Sequence, residues 1–308
     1  MQTDLGPDPD NPRTRNCDWW FFREAVVLDT AGRYAVPENE AADSGEWQEF
    51  LHWLAKYRRR EPLNGLVIAV SADRLRDGGG ELKDEARCQR RRIDEIMRIL
   101  GASFPVYLMV TKIDLLAGMA RVLDGLPPTW KLQSAGKIMQ SPEAHELTPV
   151  ALQVKKALQE IAERFRALCL FSPDEAAAPR PHALLAAEEI KALMPALNSF
   201  AEELFTENPY QETPLLRGIF FSSALHDAKE SRSKVFPPLE ELIRRLIRSK
   251  EYKGGVFLHD FFSQVLPKDR PLHRPIAEYL RWRSSLRVLA YALMLLLTFG
   301  LGTLLSLS

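Results

Sequence analysis

The sequence predicts an α/β fold in which a parallel sheet is covered by helices on both faces. Three short, continuous apolar runs have the composition of strands buried on both faces: 66–70, 106–110 and 217–221. Amphipathic helical patterns lie between these runs. Strands that alternate with amphipathic helices are typical of parallel sheets with both faces covered. Ligands of such sheets bind beyond the carboxyl ends of the strands.

Composition places the chain among ordinary globular proteins. Its 308 residues are 46% hydrophobic and 27% charged, enough for one large domain or two modest ones. Lysine plus arginine equals aspartate plus glutamate at 41 each, so no global charge attracts nucleic acid. The cysteines lack metal-site and disulfide spacing, which indicates a cytosolic protein; they are Cys17, Cys88 and Cys169.

The amino-terminal residues predict a flexible lead-in followed by a hairpin. Residues 1–15 are rich in Pro, Asp and Asn and lack the apolar run of a secretory signal. Two short stretches follow, aromatic at 19–22 and aliphatic at 25–28, and their close spacing predicts a pair of strands joined by a tight turn. The second strand is expected to end at Asp29.

Helical spacing of apolar residues predicts helices at 45–60, 81–100, 150–170, 182–205, 239–247 and 256–266. Ser44 is a candidate N-cap for the first of these helices. Pro195 is expected to bend or break the fourth. Residues 115–214 show no strand pattern and are read as a helical insertion.

The carboxyl-terminal run 288–308 predicts a transmembrane helix. It has twenty-one residues without a charge, and about twenty apolar residues span a bilayer. Basic residues dominate the preceding segment 268–287, so this flank and residues 1–287 are expected to lie in the cytoplasm. The alternative is a buried core helix, although core helices of this length usually show a polar edge.

Polar residues follow the second hairpin strand in an order that suits a phosphate and a metal ion. Asp29 at the strand end can hold Mg²⁺, and Gly32 lets a backbone N–H approach a γ-phosphate, with Thr30 between them. An Asp and a Gly at this spacing also occur at the ends of strands because both residues favour turns. The longer string LDTAGR is more specific for a nucleotide-binding site. The site is therefore a candidate for nucleotide phosphates.

Two further strings follow the buried strands 106–110 and 217–221. Thr111, Lys112 and Asp114 have the pattern that reads a guanine base, in which the carboxylate accepts hydrogen bonds and the lysine stem packs on the ring. Ser222 and Ser223 suit the last base-contacting loop. Three such strings in this order, each closing a predicted buried strand, predict a fold like that of the P-loop GTPases.

The phosphate-binding loop itself is not found. A string G-x-x-x-x-G-K-[ST] should precede Asp29, and residues 1–28 contain none. Its N–H groups and lysine carry most of the phosphate affinity, so we expect the fold to lack its phosphate-loop unit and not to hydrolyse nucleotide by itself. GTP or ATP with Mg²⁺ would be held only if that loop were supplied. A split gene, a fragment and a decayed site are all compatible with this pattern.

Several strings resemble the IcmF/TssM proteins of bacterial type VI secretion. They are CDWW at 17–20, AVVLDTAGRY at 25–34, PLNGLVIAVSADRL at 62–75, PVYLMVTKIDLLAGM at 105–119 and RGIFFSSALHDA at 217–228. Their order and the helical stretch before the last string also fit. The resemblance covers about residues 12–308, and LDTAGRY and TKID are its specific part.

The resemblance implies a role in assembling a secretion complex of the bacterial inner membrane. It implies a DotU-like (TssL) inner-membrane protein as partner, together with other subunits that include an outer-membrane lipoprotein (TssJ). It assigns Asp29 and Gly32 to metal and γ-phosphate, and Thr111, Lys112 and Asp114 to the base. The family's first two membrane spans, phosphate loop and periplasmic region have no counterpart in this sequence, which places nucleotide hydrolysis in doubt.

Together these features divide the chain into five parts. They are a lead-in at 1–15, a GTPase-like α/β domain at 16–114 plus 215–250, a helical insertion at 115–214, a helical membrane-proximal segment at 251–287 and a transmembrane helix at 288–308. Two alternatives to the scaffold role stay open. One is an active GTPase of the signal-recognition class, which shares DTAGR and TKxD strings. The other is a single-span membrane protein that has lost its nucleotide and binds partners.

Overall fold

The computed structural model describes residues 17–23, 25–37, 39–139, 149–171, 181–207, 212–223, 255–276 and the single residue 294. The lead-in at 1–15, the helix expected at 239–247 and, apart from residue 294, the apolar run 288–308 lie outside these residues.

The predicted hairpin is confirmed. Strand β1, Cys17–Phe21, pairs antiparallel with β2, Val26–Thr30, in a two-stranded sheet of its own. A short helix α1, Gly32–Ala35, leads from β2 to helix α2, Glu40–Tyr57. The expected N-cap Ser44 is wrong, because α2 begins earlier and the Asn39 side chain accepts the hydrogen bond from the first turn.

The three predicted buried strands form the centre of the main sheet. They are β3, Leu66–Ser71; β5, Pro105–Thr111; and β7, Leu215–Phe221, and all run parallel in the order β3–β5–β7. β5 is the central strand of the three, and six of its seven residues are buried. This agrees with the continuous apolar pattern and confirms the α/β class.

The expectation of no strand between 115 and 214 is wrong. Strand β6, Ala135–Ile138, pairs antiparallel with β7 and closes one edge of the sheet. Its four residues are too few for a strand period, and Gly136 interrupts the apolar pattern. The glycine is needed there, because a Cβ atom would lie 2.2 Å from the Ile219 carbonyl oxygen.

Six more helices surround the sheet in chain order: α3, Ala72–Asp77; α4, Gly80–Leu100; α5, Met119–Gly125; α6, Pro128–Leu132; α7, Val150–Leu170; and α8, Pro181–Phe205. The helices predicted at 81–100, 150–170 and 182–205 are therefore confirmed. Helix α8 passes through Pro195 without a break.

Helices α7 and α8 pack on one face of the sheet rather than standing apart from it. Their buried side chains share one hydrophobic core with those of β5 and β7. Phe165 of α7 meets Phe221 of β7 edge to face, with ring centroids 5.0 Å apart. Arg90 of α4 donates to the Leu204 carbonyl at the end of α8, at 2.9 Å. The helical region and the sheet thus share a core.

The opposite face of the sheet is covered by the middle of the segment 255–276, whereas Val256 and Phe257 at its start pack in the same core as α7 and α8. A π-helical turn, Phe261–Val265, continues into a short helix α9, Leu266–Lys268, and then into a 3₁₀ turn, Arg270–Leu272. Phe261 and Val265 pack on Tyr107, Met109 and Phe220. Farther on, strand β8, Arg274–Pro275, pairs with β4, Ala102–Ser103.

A buried ion pair fixes this segment to the sheet. Arg217 of β7 donates from Nε and Nη2 to the two carboxylate oxygens of Asp269, at 2.7 and 3.0 Å. The Tyr107 hydroxyl donates to the same carboxylate at 2.7 Å. Burial, with the hydrogen bond to Asp269, raises the pKa of Tyr107. The hydroxyl therefore stays protonated and acts as a donor.

Candidate functional site

The sheet brings the TKID and SSA strings together. Strands β5 and β7 are parallel neighbours, so their carboxyl ends lie at the same edge. The Ser222 amide donates to the Val110 carbonyl at 2.8 Å, and the Ile113 amide donates to the Ser222 carbonyl at 3.3 Å. The two loops are thus joined through their backbones.

A side-chain hydrogen bond then links the two residues expected to contact a base. Asp114 is buried in a 3₁₀ turn, Ile113–Leu115, and its Oδ1 accepts a hydrogen bond from Ser223 Oγ. Lys112 lies two residues before Asp114 and its side chain is exposed. The backbone of Lys112 has a left-handed conformation, with φ of 57°. Such a conformation is uncommon for a residue other than glycine, and it often marks a functional turn.

Ser223 has a second connection that the sequence did not predict. Its backbone pairs with Val256 through hydrogen bonds of 2.7 and 3.2 Å, at the start of the segment 255–276. The next amide, of Phe257, donates to the Lys131 carbonyl at 2.7 Å. Val256 is separated in sequence from the SSA string and carries no motif, so no signal in the chain could have placed it here.

Lys131 is the other buried group beside this edge. It lies on α6, and its ammonium donates to the Asp124 carbonyl at 3.0 Å. Burial lowers the pKa of Lys131, with the Asp124 carboxylate acting in the opposite direction. Sequence reasoning missed this residue because a lysine in a short helix normally faces solvent.

The Asp29 string lies on the hairpin, which is not hydrogen-bonded into the main sheet. Asp29 is exposed and stands opposite Asp18 in the strand register, and Thr30 stands opposite Cys17. The structure therefore joins Asp114 to Ser223 and keeps Asp29 and Thr30 on a separate element. A Cβ atom at Gly32 would meet nothing within 4 Å, so packing in the described chain does not require that glycine.

The last two residues of the LDTAGRY string have a structural role. Arg33 donates to Asp43 at 3.0 Å and to Glu46 at 2.7 Å, and both carboxylates lie on α2. Tyr34 donates to Glu46 at 3.1 Å and stacks on Trp47, with ring centroids 5.6 Å apart. These contacts hold the segment that follows Asp29 against α2.

Within the described residues, no three His, Cys, Asp or Glu side chains lie together as a metal-binding group. A Mg²⁺ ion at Asp29 would need phosphate or water oxygens to complete its octahedral shell.

None of the helices in the described part of the chain is both long and apolar enough to cross a bilayer. The apolar run 288–308 lies outside the described residues, apart from residue 294.

Comparison with known proteins identifies the family to which the chain belongs. Residues 40–294 match the model of the IcmF-related N-terminal domain family. The type VI secretion system component TssM1 of Pseudomonas aeruginosa PAO1 is 34% identical over 246 residues, which are 77% of this chain and 21% of that protein. The chain thus spans about a fifth of the length of this curated relative. No solved structure matches it. Because the family model covers most of the chain, the resemblance seen in the sequence is confirmed, and the chain belongs to the IcmF-related family.

Proposed function

We propose that this chain is the cytoplasmic, membrane-anchored part of a type VI secretion membrane complex. It would act as a scaffold with an incomplete nucleotide site. Family membership and the likeness to a type VI secretion component support the secretion role. The apolar run 288–308 and its basic flank support an anchor in the bacterial inner membrane, with residues 1–287 in the cytoplasm.

The observation that carries the scaffold role is the hydrogen bond between Asp114 and Ser223. The base-reading edge is assembled by contacts within the chain, and the same Ser223 pairs with Val256. These residues therefore stabilise the fold whether or not a nucleotide binds. No residue is assigned to catalysis, and the assembly role does not depend on hydrolysis.

A nucleotide would be held in two parts if a phosphate loop were supplied. Asp114, Lys112 and Ser223 would contact the base, with Thr111 and Ser222 shaping their loops. Asp114 accepts through Oδ1 from Ser223, and its second carboxylate oxygen, Oδ2, would accept from the base.

The phosphate end would use residues of strand β2 and the first residue of helix α1. Asp29 would hold Mg²⁺, Thr30 would lie beside it, and Gly32 would leave room for the γ-phosphate. Magnesium supplies charge neutralisation to the phosphates of GTP or ATP when it is bound.

The expected partners are other subunits of the secretion complex, above all a DotU-like (TssL) inner-membrane protein. The test is co-expression of the full chain with the DotU-like protein of the same bacterium, followed by detergent extraction and affinity purification. We expect a stable complex without added nucleotide. We expect the variant Asp114→Asn, which keeps an oxygen acceptor for Ser223, to leave the complex intact. Loss of the complex in this variant, with recovery on adding GTP and Mg²⁺, would show that assembly requires nucleotide.

The second candidate is an active GTPase of the signal-recognition class, which the assembled Asp114–Ser223 edge favours. Binding of a fluorescent GTP or ATP analogue to the full chain with Mg²⁺ separates the two. We expect no saturable binding up to about 1 mM, which corresponds to about 4 kcal/mol of binding free energy. Micromolar binding that is abolished by Asp114→Asn, which keeps an acceptor for Ser223, together with hydrolysis of the bound GTP, would establish the GTPase function instead.

A further inference from the structure

A group of exposed cations lies at the end of helix α2 and in the loop that follows it. The four residues are Lys56, Arg58, Arg59 and Arg60. Among the described residues, no carboxylate pairs with any of them. The Arg59 guanidinium instead donates to the Lys56 carbonyl at 3.3 Å. These charges therefore face solvent without a counter-ion from the described chain, and a surface of one sign attracts ligands of the other.

Two aromatic side chains accompany these cations on α2. Trp53 is 48% exposed and Tyr57 is 70% exposed. The residues are one turn apart, and their rings stack with centroids 5.5 Å apart and an interplanar angle of 5°. The Lys56 ammonium lies 5.2 Å and 5.6 Å from the two ring centroids. Stacking and the cation–π contacts thus hold the rings and the ammonium together as one amphipathic surface.

The segment 255–276 brings a second group of cations to the same end of the sheet. Arg270 pairs with Glu61 at 2.9 Å. His273 Nδ1 lies 3.0 Å from the Leu63 carbonyl oxygen. Two further cations of the segment are exposed, Lys268 and Arg274. Because residues 61–63 precede strand β3, both basic groups lie at the amino end of that strand, opposite the edge at which the TKID and SSA strings meet.

Positive charge dominates this surface. We call it the basic face, and it consists of Trp53, Tyr57, Lys56, Arg58, Arg59, Arg60, Lys268, Arg270 and Arg274. The stretches 53–61 and 268–274 contain seven lysines and arginines and two carboxylates, which leaves five positive charges in excess. Both carboxylates are already paired, Glu61 with Arg270 and Asp269 with Arg217. The excess charge is therefore available to an anionic partner.

We propose that the basic face lies against the anionic phospholipid headgroups of a bilayer. Lys and Arg side chains are attracted to the negative surface of a leaflet that contains anionic lipid, and Trp and Tyr rings favour the level of the headgroups. In this orientation the cations meet the lipid phosphates, and the TKID and SSA edge points away from the membrane. The described residues supply this attraction whether or not the run 288–308 spans a bilayer.

The composition of the basic face favours lipid over a protein or a nucleic acid. The centres of protein interfaces are depleted of charge, and lysine is depleted across them, whereas charge of one sign extends over both stretches here. Single-stranded nucleic acids stack their bases on free aromatic rings, but Trp53 and Tyr57 already stack on each other. Mobile anionic headgroups match cations spread over an open surface together with interfacial aromatic rings.

Quenching of Trp53 fluorescence by a headgroup spin label tests the proposal. The full chain is reconstituted with vesicles of phosphatidylcholine that carry a nitroxide-labelled headgroup lipid, with or without phosphatidylglycerol. The Trp53 signal is the difference between the chain and its Trp53→Phe variant. We expect phosphatidylglycerol to increase Trp53 quenching at least about two-fold. Salt at about 1 M, which shortens the Debye length to about 3 Å, should remove the increase.

Charge reversal identifies the surface that is responsible. The triple change Arg58→Glu, Arg59→Glu and Arg60→Glu should abolish the increase caused by phosphatidylglycerol. A control with the same change in net charge reverses three exposed cations of helix α7 and should leave the increase intact; these are Lys155, Lys156 and Arg166. All six positions are exposed, so both variants are expected to fold, which circular dichroism checks.

The outcomes separate the basic face from the anchor. If phosphatidylglycerol does not change Trp53 quenching, or if both triple variants lose the increase equally, the basic face does not contact lipid and the proposal is overturned. Retention of the chain on neutral vesicles at high salt reports the anchor by itself. A chain that leaves neutral vesicles lacks the proposed anchor, but it should still bind vesicles that contain phosphatidylglycerol and show the Trp53 quenching there.

Discussion

Replacement of Asp269 by Asn tests whether the segment 255–276 is held to the sheet by the buried ion pair. The side chain of Asp269 is 9% exposed and that of Arg217 is 18% exposed, so solvent screens their attraction only slightly. Asp269→Asn removes the charge but keeps the volume. It leaves the guanidinium of Arg217 without a counter-ion and the hydroxyl of Tyr107 with a weaker acceptor.

The expected loss is large for one substitution. Removing one partner of a buried pair costs about 3–5 kcal/mol, and the retained amide oxygen favours the lower end, about 3 kcal/mol. For a chain of this size, each kcal/mol lowers Tm by about 2–4 °C. We therefore expect Asp269→Asn to lower Tm by about 6–12 °C, measured by circular dichroism of the full chain in detergent.

The neighbouring residue supplies a matched control. Arg270 pairs with Glu61 at 2.9 Å, but the arginine side chain is 69% exposed, and exposed ion pairs contribute little. Arg270→Gln should leave Tm almost unchanged. If both variants shift Tm equally, or if neither does, the ion pair at Asp269 does not hold the segment and the reasoning is refuted.

Three further predictions concern single positions. Asp114→Ala leaves the buried Ser223 hydroxyl without its acceptor and should lower the free energy of unfolding in urea by about 1–3 kcal/mol. An unchanged free energy of unfolding would exclude that hydrogen bond. Gly136→Ala should lower the free energy of unfolding by about 1–3 kcal/mol, because the added methyl group clashes with β7. The control Gly45→Ala lies at an open helical position and should raise the free energy of unfolding by up to about 1 kcal/mol. Burial and two nearby carboxylates raise the pKa of Cys17 to about 11. Its iodoacetamide labelling at pH 8, read by mass spectrometry, should therefore be about a hundred-fold slower than in the denatured chain and accelerate as pH rises to 11; equal rates would contradict the burial.

The parallel sheet could be predicted because its strands are buried on both faces. The residues of β5 alternate between two cores, with Val106 and Leu108 on one side and Tyr107 and Met109 on the other. Both sides must be apolar, and this produces a continuous run that is visible in the sequence. Parallel neighbours also end at one edge, so the meeting of the TKID and SSA strings followed from their positions.

Other features depend on contacts between distant residues and leave no local pattern. Arg217 and Asp269 are 52 positions apart, and neither is distinguishable in sequence from a surface charge. The position of Asp29 relative to the base-reading edge depends on how the hairpin packs, which no periodicity encodes. The likeness to P-loop GTPases accordingly stays a prediction.

The contacts of Ser223 change how the nucleotide-binding strings should be interpreted. One residue donates to Asp114 with its side chain and pairs with Val256 through its backbone. The SSA loop is therefore also the attachment point of the segment 255–276, which leads toward the proposed membrane span. Loss of nucleotide binding would not release these residues from their structural role, because a buried hydroxyl and a buried carboxylate still require each other. The TKID and SSA strings thus mark the point at which the segment 255–276 is joined to the carboxyl edge of the sheet.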